Sequence, residues 1–363
     1  MKKWYLHILL LAGLFGMLTT SCSQDEALES RAQASEEKMQ VSFTIAMGNS
    51  SDNSRAAEEN YPTEEEIVAF ENRIDQLHVQ LQMSENTSPV DVVNIAYWQV
   101  GTNVYKFVGE VKDVASGTSL NGVKVFVYAN TSKTNGAIKK TFVPTYSGSN
   151  EGKGVESIPM WGVHTITANL SLTSGTCVDL PEPIYLLRAM AKVEVNLGSN
   201  AISEGFSIDG VEMQKYNSLG NLEPNTVANA NGINTADYHN EACINAAPAG
   251  NVVGIPLDFI KIGENRFIIY VPEFKIGADA NFNTDDNMLI RVKIVQGEDE
   301  IWASLKNGGA FPIGDLVRNY YYIYSIDRVN INVNVISDFT YQVIDWTEID
   351  NGSLNFGNSN GNV

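Results

Sequence analysis

The sequence predicts an all-β fold, and three observations lead to this prediction. Short runs alternate apolar and polar residues at a period of two, as half-buried strands do. Clusters of Gly, Asn, Ser and Thr separate these runs, as expected of turns. Aromatic residues are plentiful, whereas only 18% of the residues are charged. With 363 residues, the chain is long enough for two domains of ordinary size.

The N-terminus predicts a lipoprotein signal over residues 1–21. Two lysines precede an apolar run from Ile8 to Leu18, and small residues follow before Cys22. This is the pattern of a secretory signal, and the run is shorter than the ~20 residues that a membrane span needs. Cys22 resembles the lipidated cysteine of a bacterial lipobox, although Thr19 stands where that motif has Leu. The acidic residues after Cys22 are similar to those of lipoproteins that Bacteroidia export to the cell surface.

The first folded element is predicted to be a strand. Residues 23–38 are polar, acidic and aperiodic, which indicates a flexible tether. Residues 39–47 then alternate strictly and predict a half-buried strand. After a polar segment, Thr63 and Glu66 have the spacing of a capping box, so a short helix is predicted at about 64–72.

Many further strands are predicted along the rest of the chain. They lie at residues 77–83, 103–111, 122–130, 164–172, 184–197, 205–214, 265–274, 287–295, 319–335 and 339–349. Turn-forming clusters separate them. This spacing fits two consecutive β-sandwiches with a junction near residues 188–200.

The charge balance excludes one class of partner. The chain has 43 acidic and 24 basic residues, a formal net charge of −19. Such a surface repels nucleic acids and anionic membrane surfaces. We therefore expect no nucleic-acid binding.

No motif predicts catalysis. The histidines at positions 7, 78, 164 and 239 lie far apart and have no metal-binding spacing. Residues 148–154 lack the full spacing of a phosphate loop. Residues 279–287 resemble the start of an EF-hand loop, but Thr284 stands at the required Gly and Ile290 at the required Glu. We expect no enzyme, with no catalytic residue, cofactor or metal.

Two cysteines remain once Cys22 is assigned to lipid. Cys177 and Cys243 either form one disulfide in an oxidising compartment or stay as two buried, small apolar side chains. The sequence leaves both possibilities open.

Several segments resemble, in this order, segments of the FimA-type fimbrillins, the subunits of type V pili of Bacteroidia. They are KVFVYANTS (124–132), SIPMWG (157–162), LLRAMAKVEV (186–195), RFIIYVPEF (266–274), VRNYYYIY (317–324) and VIDWTEI (343–349). The resemblance implies two tandem transthyretin-like β-sandwich domains. It also implies that a lipoprotein precursor reaches the outer membrane and that an arginine-specific protease cuts it after its first strand. A strand from a neighbouring subunit then fills the open groove, which satisfies unpaired backbone groups and apolar positions together.

The resemblance points to Arg55 and Ala56 as the cleavage site. They lie in the polar segment DNSRAAEENYP (52–62), directly after the predicted first strand. A cut there would release a propeptide of residues 22–55. Arg31 lies in a second copy of the Ser-Arg-Ala triplet, but a cut there would leave the first strand in place.

The implied mature chain consists of an N-terminal domain, 56–190, and a C-terminal domain, 191–363. By the same resemblance the donor strand lies near the C-terminus, with Tyr341, Val343 and Trp346 as its candidate residues. The alternative is that this strand folds back into its own domain.

The predicted function is that of a structural subunit of a fimbrium at the outer membrane and cell surface. Its implied partners are other fimbrial subunits, the arginine-specific protease, and the outer membrane through the lipid. One alternative is a tip or anchor protein of the same family. Another is a surface glycan-binding lipoprotein, with Trp98, Trp161, Trp302 and residues 320–322 as candidate aromatic platforms.

Overall fold

The structure is a computed structural model that describes residues 38–47, 61–101, 103–144, 157–214, 216–224, 252–253, 256–273, 290–305 and 316–346. Several predicted features lie outside these residues. They are Cys22, Arg31, Arg55, Ala56, Cys243, the segment 148–154 and the segment 279–287.

The first part of the chain contains eleven described strands and one helix. In chain order they are β1 (Met39–Met47), α1 (Glu64–Glu71), β2 (Leu77–Gln82), β3 (Val90–Gly101), β4 (Val104–Val111), β5 (Lys124–Ala129), β6 (Lys133–Thr134), β7 (Ala137–Ile138), β8 (Thr141–Phe142), β9 (Met160–Thr165), β10 (Cys177–Asp179) and β11 (Ile184–Arg188).

The second part of the described chain is also mainly strand. It contains β12 (Met190–Leu197), α2 (Ser199–Ser203), β13 (Phe206–Met213), β14 (Tyr216–Asn217), β15 (Gly220–Asn221), β16 (Val252–Val253), β17 (Leu257–Asp258), β18 (Ile260–Gly263), β19 (Arg266–Pro272), β20 (Ile290–Gln296), β21 (Asp299–Ser304), β22 (Tyr320–Asn330), a 3-10 turn (Ile331–Val333) and β23 (Val335–Asp345). The all-β prediction is confirmed.

The first large sheet closes on itself through β1. Its eight strands follow the order β10-β1-β11-β9-β5-β2-β3-β4, and β1 also pairs with β4 at the far edge. One side of β1 runs antiparallel to β4, and the other runs parallel to β10 and then to β11. The interior of this sheet is apolar and includes the inward face of β1.

The second part contains two larger sheets that share a core, besides the short pairs β14–β16 and β15–β8. A five-stranded sheet has the order β18-β19-β12-β22-β23, and a four-stranded sheet has the order β17-β13-β20-β21. Apolar side chains from both sheets form one cluster between them. In this order β23 is an edge strand, and it pairs with β22 over its whole length.

A third cluster of buried side chains lies between the first large sheet and the paired sheets of the second part, which we call the two assemblies. It contains Ile67 of α1, Trp161 of β9, Tyr270 of β19 and Trp346 after β23. The chain passes from the first large sheet to the five-stranded sheet at Ala189, between β11 and β12. The division into domains at residues 190 and 191 stays a prediction.

The sequence-based strand boundaries were partly wrong. Residues 184–197 were expected to form one strand, but they form β11 and β12 in different sheets. Residues 164–172 were expected to form a strand, but β9 ends at Thr165. Residues 319–335 were expected to be one strand, but a turn follows Asn330. Each error has the same cause, because alternation reports which side chains can be buried and not where the backbone changes partner.

The predicted helix and its cap agree with the structure. The Thr63 hydroxyl accepts a hydrogen bond from the backbone N–H of Glu66 at 3.2 Å, and the Glu66 carboxylate accepts one from the N–H of Thr63 at 2.8 Å. This reciprocal pair is the capping box that the sequence predicted.

Candidate functional site

The candidate site is the groove that β1 occupies, which is formed by β4 on one side and by β10 and β11 on the other. Val41, Phe43 and Ile45 have no exposed surface, and Met39 and Met47 are also buried. Because these residues alternate along the strand, one face of β1 belongs entirely to the core. The burial of each such side chain stabilises the folded state by about 1.5–3 kcal/mol.

An aromatic pair lies at the centre of the groove. The rings of Phe43 and Phe107 stack with centroids 4.3 Å apart. Gly109 lies two residues further along β4, and a Cβ there would come within 2.9 Å of the Phe107 ring and 2.4 Å of Val92. The absence of a side chain at Gly109 therefore leaves room for the Phe107 ring that β1 covers.

Backbone hydrogen bonds hold β1 on both sides. Residues 39–46 pair in sequence with residues 111–104 of β4. On the other side, the N–H of Leu180 donates to the carbonyl of Ser42 at 2.8 Å, and the N–H of Gln40 donates to the carbonyl of Thr176 at 3.0 Å. Without β1, both rows of backbone groups would lose these partners.

Polar side chains along the groove fix the position of β1. Lys38 forms a close ion pair with Glu110, and Asn94 also donates to Glu110 at 2.7 Å. The hydrogen bond from Lys38 lowers the pKa of Glu110 below its ordinary value. On the opposite side, Ser42 donates to Asp179 at 2.6 Å. Since Lys106 also reaches Asp179, at 2.5 Å, both rims of the groove carry a carboxylate.

The predicted donor residues lie in β23 and directly after it. The Tyr341 ring stacks on Tyr324 with centroids 5.0 Å apart, and Val343 is 40% exposed. Trp346 is buried: its indole N–H donates to Glu71 at 2.9 Å, and the guanidinium of Arg188 lies 4.7 Å from its ring. In this structure β23 belongs to its own sheet, and its donation to another subunit stays a prediction.

The described residues offer little support for other kinds of site. Within the described ranges there is no cluster of His, Cys, Asp or Glu that could hold a metal. No helix in this part of the chain is long and apolar enough to cross a membrane. Cys177 is exposed in β10, beside Gln40. It is therefore not the buried apolar cysteine that one sequence-based possibility required.

Three of the six candidate aromatic platform residues are buried, and Trp98, Trp302 and Tyr320 are partly exposed. Trp161 is 2% exposed, and Tyr321 and Tyr322 are also buried, so these three residues cannot form an exposed platform. Trp302 is partly exposed, but the guanidinium of Arg291 lies 4.9 Å from its ring. Trp161 and Tyr321 belong to the cluster of buried side chains between the two assemblies, and Tyr322 belongs to the core of the second part.

Comparisons with known proteins find similarity to solved structures of fimbrial and cell adhesion proteins. No protein-family model matches the chain, and no curated protein matches it. It is similar to the tip fimbrial protein Mfa3 from Porphyromonas gingivalis, with 16% identity and a TM-score of 0.45 over 85% of this chain and 100% of that one. Its structural neighbours include fimbrial proteins and putative cell adhesion proteins.

Two further fimbrial neighbours have the same level of similarity. A fimbrial assembly protein from Parabacteroides distasonis has 13% identity and a TM-score of 0.41 over 85% of this chain and 96% of that one. A fimbrilin from Porphyromonas gingivalis has 13% identity and a TM-score of 0.39 over 85% of this chain and 98% of that one. This is the class of protein that the sequence resembles. At such TM-scores the similarity carries no weight for function, which depends on the chain's own residues.

Proposed function

We propose that this protein is a structural subunit of a cell-surface fimbrium. It is exported to the outer membrane as a lipoprotein through Cys22, is cleaved after Arg55 by an arginine-specific protease, and polymerises by strand exchange. The observation that carries this proposal is the position of β1. It is the first described strand, it closes the first large sheet, and a single cut after Arg55 separates it from everything that follows.

Loss of β1 makes the binding of a replacement strand energetically favourable. Its departure removes the backbone partners of β4, β10 and β11 and exposes the apolar groove between them. A strand with alternating apolar side chains satisfies both needs at once. Because the next subunit offers such a strand in its C-terminal part, the same exchange repeats along a polymer.

The experiment that tests this proposal compares two matched arginine variants. Arg31 and Arg55 each lie in a Ser-Arg-Ala triplet, the first before β1 and the second after it. We expect surface protein from the unaltered chain to begin at Ala56 and to run as a ladder of stable oligomers on an unboiled gel. Arg55→Ala should keep β1 and the lipid and run as a monomer, whereas Arg31→Ala should leave the ladder unchanged. A ladder from Arg55→Ala would contradict cleavage at this site.

The same measurement, together with a glycan-binding assay, separates the alternatives. An anchor protein keeps its lipidated Cys22 and its β1. A tip protein loses β1 but does not form a homopolymer. A surface glycan-binding lipoprotein stays a lipidated monomer at all concentrations and binds glycan.

A further inference from the structure

A series of buried polar side chains leads from the end of β1 to the end of β23. It begins at Asn103, which lies in the turn between β3 and β4. The backbone N–H of Met47, the last residue of β1, donates to the carbonyl of Asn103 at 2.9 Å. The side-chain oxygen of Asn103 accepts a hydrogen bond from the amide of Asn72 at 2.6 Å. Asn103 therefore contacts β1 through its backbone and, through its side chain, the residue that caps the end of α1.

Arg188 is the next residue of this series. Its guanidinium donates to the side-chain oxygen of Asn72 in a close contact. Arg188 is also the last residue of β11, which pairs with β1 so that Leu186 lies opposite Met47. The end of β1 is thus connected to Arg188 by two routes, one through Asn103 and Asn72 and the other through the backbone of β11. We call the three residues Asn103, Asn72 and Arg188 the buried network; each is at most 6% exposed.

The buried network contacts Trp346, the residue that follows β23. The guanidinium of Arg188 donates to the carbonyl of Trp346 at 3.3 Å and lies 4.7 Å from the centre of its ring. Asn319 joins the two backbones, because its side chain accepts from the N–H of Arg188 at 3.1 Å and its carbonyl accepts from the N–H of Trp346 at 2.9 Å. A buried guanidinium is stable only where its N–H groups have acceptors. The position of Arg188 therefore depends on Asn72 and Trp346 together.

Trp346 anchors the end of β23 in the interior. Among residues 335–343 only Ile336 is buried, and the other side chains are exposed or partly buried. Trp346 is 1% exposed, and its ring stacks on Tyr270 with centroids 5.6 Å apart. Segments with few buried contacts open locally at a lower free energy than the core does. Undocking of Trp346 would therefore free the end of β23 without unfolding the sheets of the second part.

We propose that the buried network couples the occupancy of the β1 groove to the docking of Trp346. This inference rests on the proposed function, because cleavage after Arg55 is what allows the groove to empty. While β1 is in place, its last N–H fixes Asn103 and its backbone fixes the end of β11. When β1 leaves, Asn103 and β11 lose these partners, and the docked state of Trp346 becomes less stable.

This coupling sets the order of events at the two ends of the chain. A precursor that retains β1 keeps the end of β23 docked, and a chain that has lost β1 releases it more readily. Coupling between two sites is reciprocal, so undocking of Trp346 also weakens the attachment of β1. The element with two states is the docked or undocked end of β23, and the occupancy of the groove shifts the balance between them.

Hydrogen exchange of uncleaved chains tests the buried network first. Asn103→Gly removes the side chain that binds Asn72 and keeps the backbone carbonyl, and glycine readily adopts the φ of 58° at this position. We expect exchange in the peptide 339–346 to become about tenfold faster, as the loss of about one buried hydrogen bond would cause. Asn135→Gly is the matched control, because Asn135 has a φ of 52° in the exposed turn between β6 and β7. Equal exchange rates in the two variants would overturn the proposal.

A second variant of the uncleaved chain tests the reverse direction. Trp346→Ala removes the ring that contacts Arg188 and Tyr270. By reciprocity, exchange in the peptide 39–47 of β1 should become faster. The peptide 208–213, in the core of the second part, should keep its rate if the effect is local. An unchanged rate in the β1 peptide, or an equal rise in the core peptide, would contradict the coupling.

The last comparison empties the groove itself. Full-length chains with an engineered protease site at residues 52–55 are cleaved, and the monomers that have lost β1 are isolated. Exchange in the peptide 339–346 should then rise about tenfold in the otherwise unaltered chain, and should rise less in Asn103→Gly, whose network is already interrupted. An unchanged rate in the otherwise unaltered chain would overturn the coupling. A cleaved chain that never releases β1 would instead contradict the proposed function, while the uncleaved chains would still decide whether the coupling exists.

Discussion

At the scale of single residues, Phe43 is the side chain on which the retention of β1 depends most. It has no exposed surface and stacks on Phe107. We expect Phe43→Ala to lower the free energy of unfolding by about 3–5 kcal/mol, because it leaves a cavity in a packed core. Urea denaturation of the uncleaved chain measures this change. Thr44→Ala, at the neighbouring outward position, should change the free energy of unfolding by less than about 0.5 kcal/mol. Equal effects of the two substitutions would show that β1 is not packed as the structure describes.

Glu110 gives the retention of β1 a pH dependence. Its pKa lies below its ordinary value of 4.5, chiefly because Lys38 donates a hydrogen bond to the carboxylate. A lowered pKa means that the ionised group stabilises the folded state above pH 4.5, and that this contribution disappears as the pH falls through the lowered pKa. After cleavage, β1 should therefore leave the groove of Glu110→Gln faster than that of the unaltered protein at pH 7, and the difference should shrink below pH 4.5.

A control substitution separates this local effect from a general loss of charge. The pKa of Asp91 is also lowered, although burial alone would raise it, because Lys133 and Gln80 donate hydrogen bonds to its carboxylate. Asp91 lies on β3, and the donors to its carboxylate, Gln80 and Lys133, lie on β2 and β6. Asp91→Asn should leave the release rate of β1 unchanged at pH 7. If Asp91→Asn and Glu110→Gln release β1 equally fast, the effect does not come from the pair with Lys38.

At the scale of elements, the sequence predicted what depends on local patterns. The limits of β1 follow from strict alternation and agree with the structure. The start of α1 follows from Thr63 and Glu66, because a capping box is formed by neighbours in sequence. The division of residues 184–197 into two strands was missed, since nearly every side chain of β11 and β12 is buried and only long-range pairing separates the two strands.

The candidate site was predictable to a similar degree. Alternation in residues 39–47 identified the strand that fills the groove, but Glu110 and Asp179 are far from Lys38 and Ser42 in sequence. No local pattern brings them together. The pairing of β1 with both β4 and β11 also depends on the closure of the whole sheet, which no single segment determines.

At the scale of the whole molecule, Glu71 connects the two assemblies. It lies at the end of α1 and has no exposed surface. Its carboxylate receives the ammonium of Lys192 at 2.8 Å, the hydroxyl of Tyr270 at 2.7 Å and the indole N–H of Trp346 at 2.9 Å. Burial, and next the charge of Glu71, raise the pKa of Tyr270 well above its ordinary value, so this tyrosine stays a hydrogen-bond donor. One carboxylate thus joins α1 to β12, β19 and the end of β23.

This arrangement predicts a large and specific effect of Glu71→Ala. The substitution leaves the ammonium of Lys192 buried without its carboxylate, and removing one partner of a buried ion pair costs about 3–5 kcal/mol. Asp75→Ala is the matched control, because Asp75 and Arg73 form an exposed pair at 2.9 Å, for which a cost below about 1 kcal/mol is typical. Urea denaturation of both variants measures the difference. Combining Glu71→Ala with Lys192→Met should recover part of the loss, since the unpaired charge is then absent. If Glu71→Ala costs no more than Asp75→Ala, the two assemblies are not joined through this carboxylate, and Trp346 is held by its ring contacts alone.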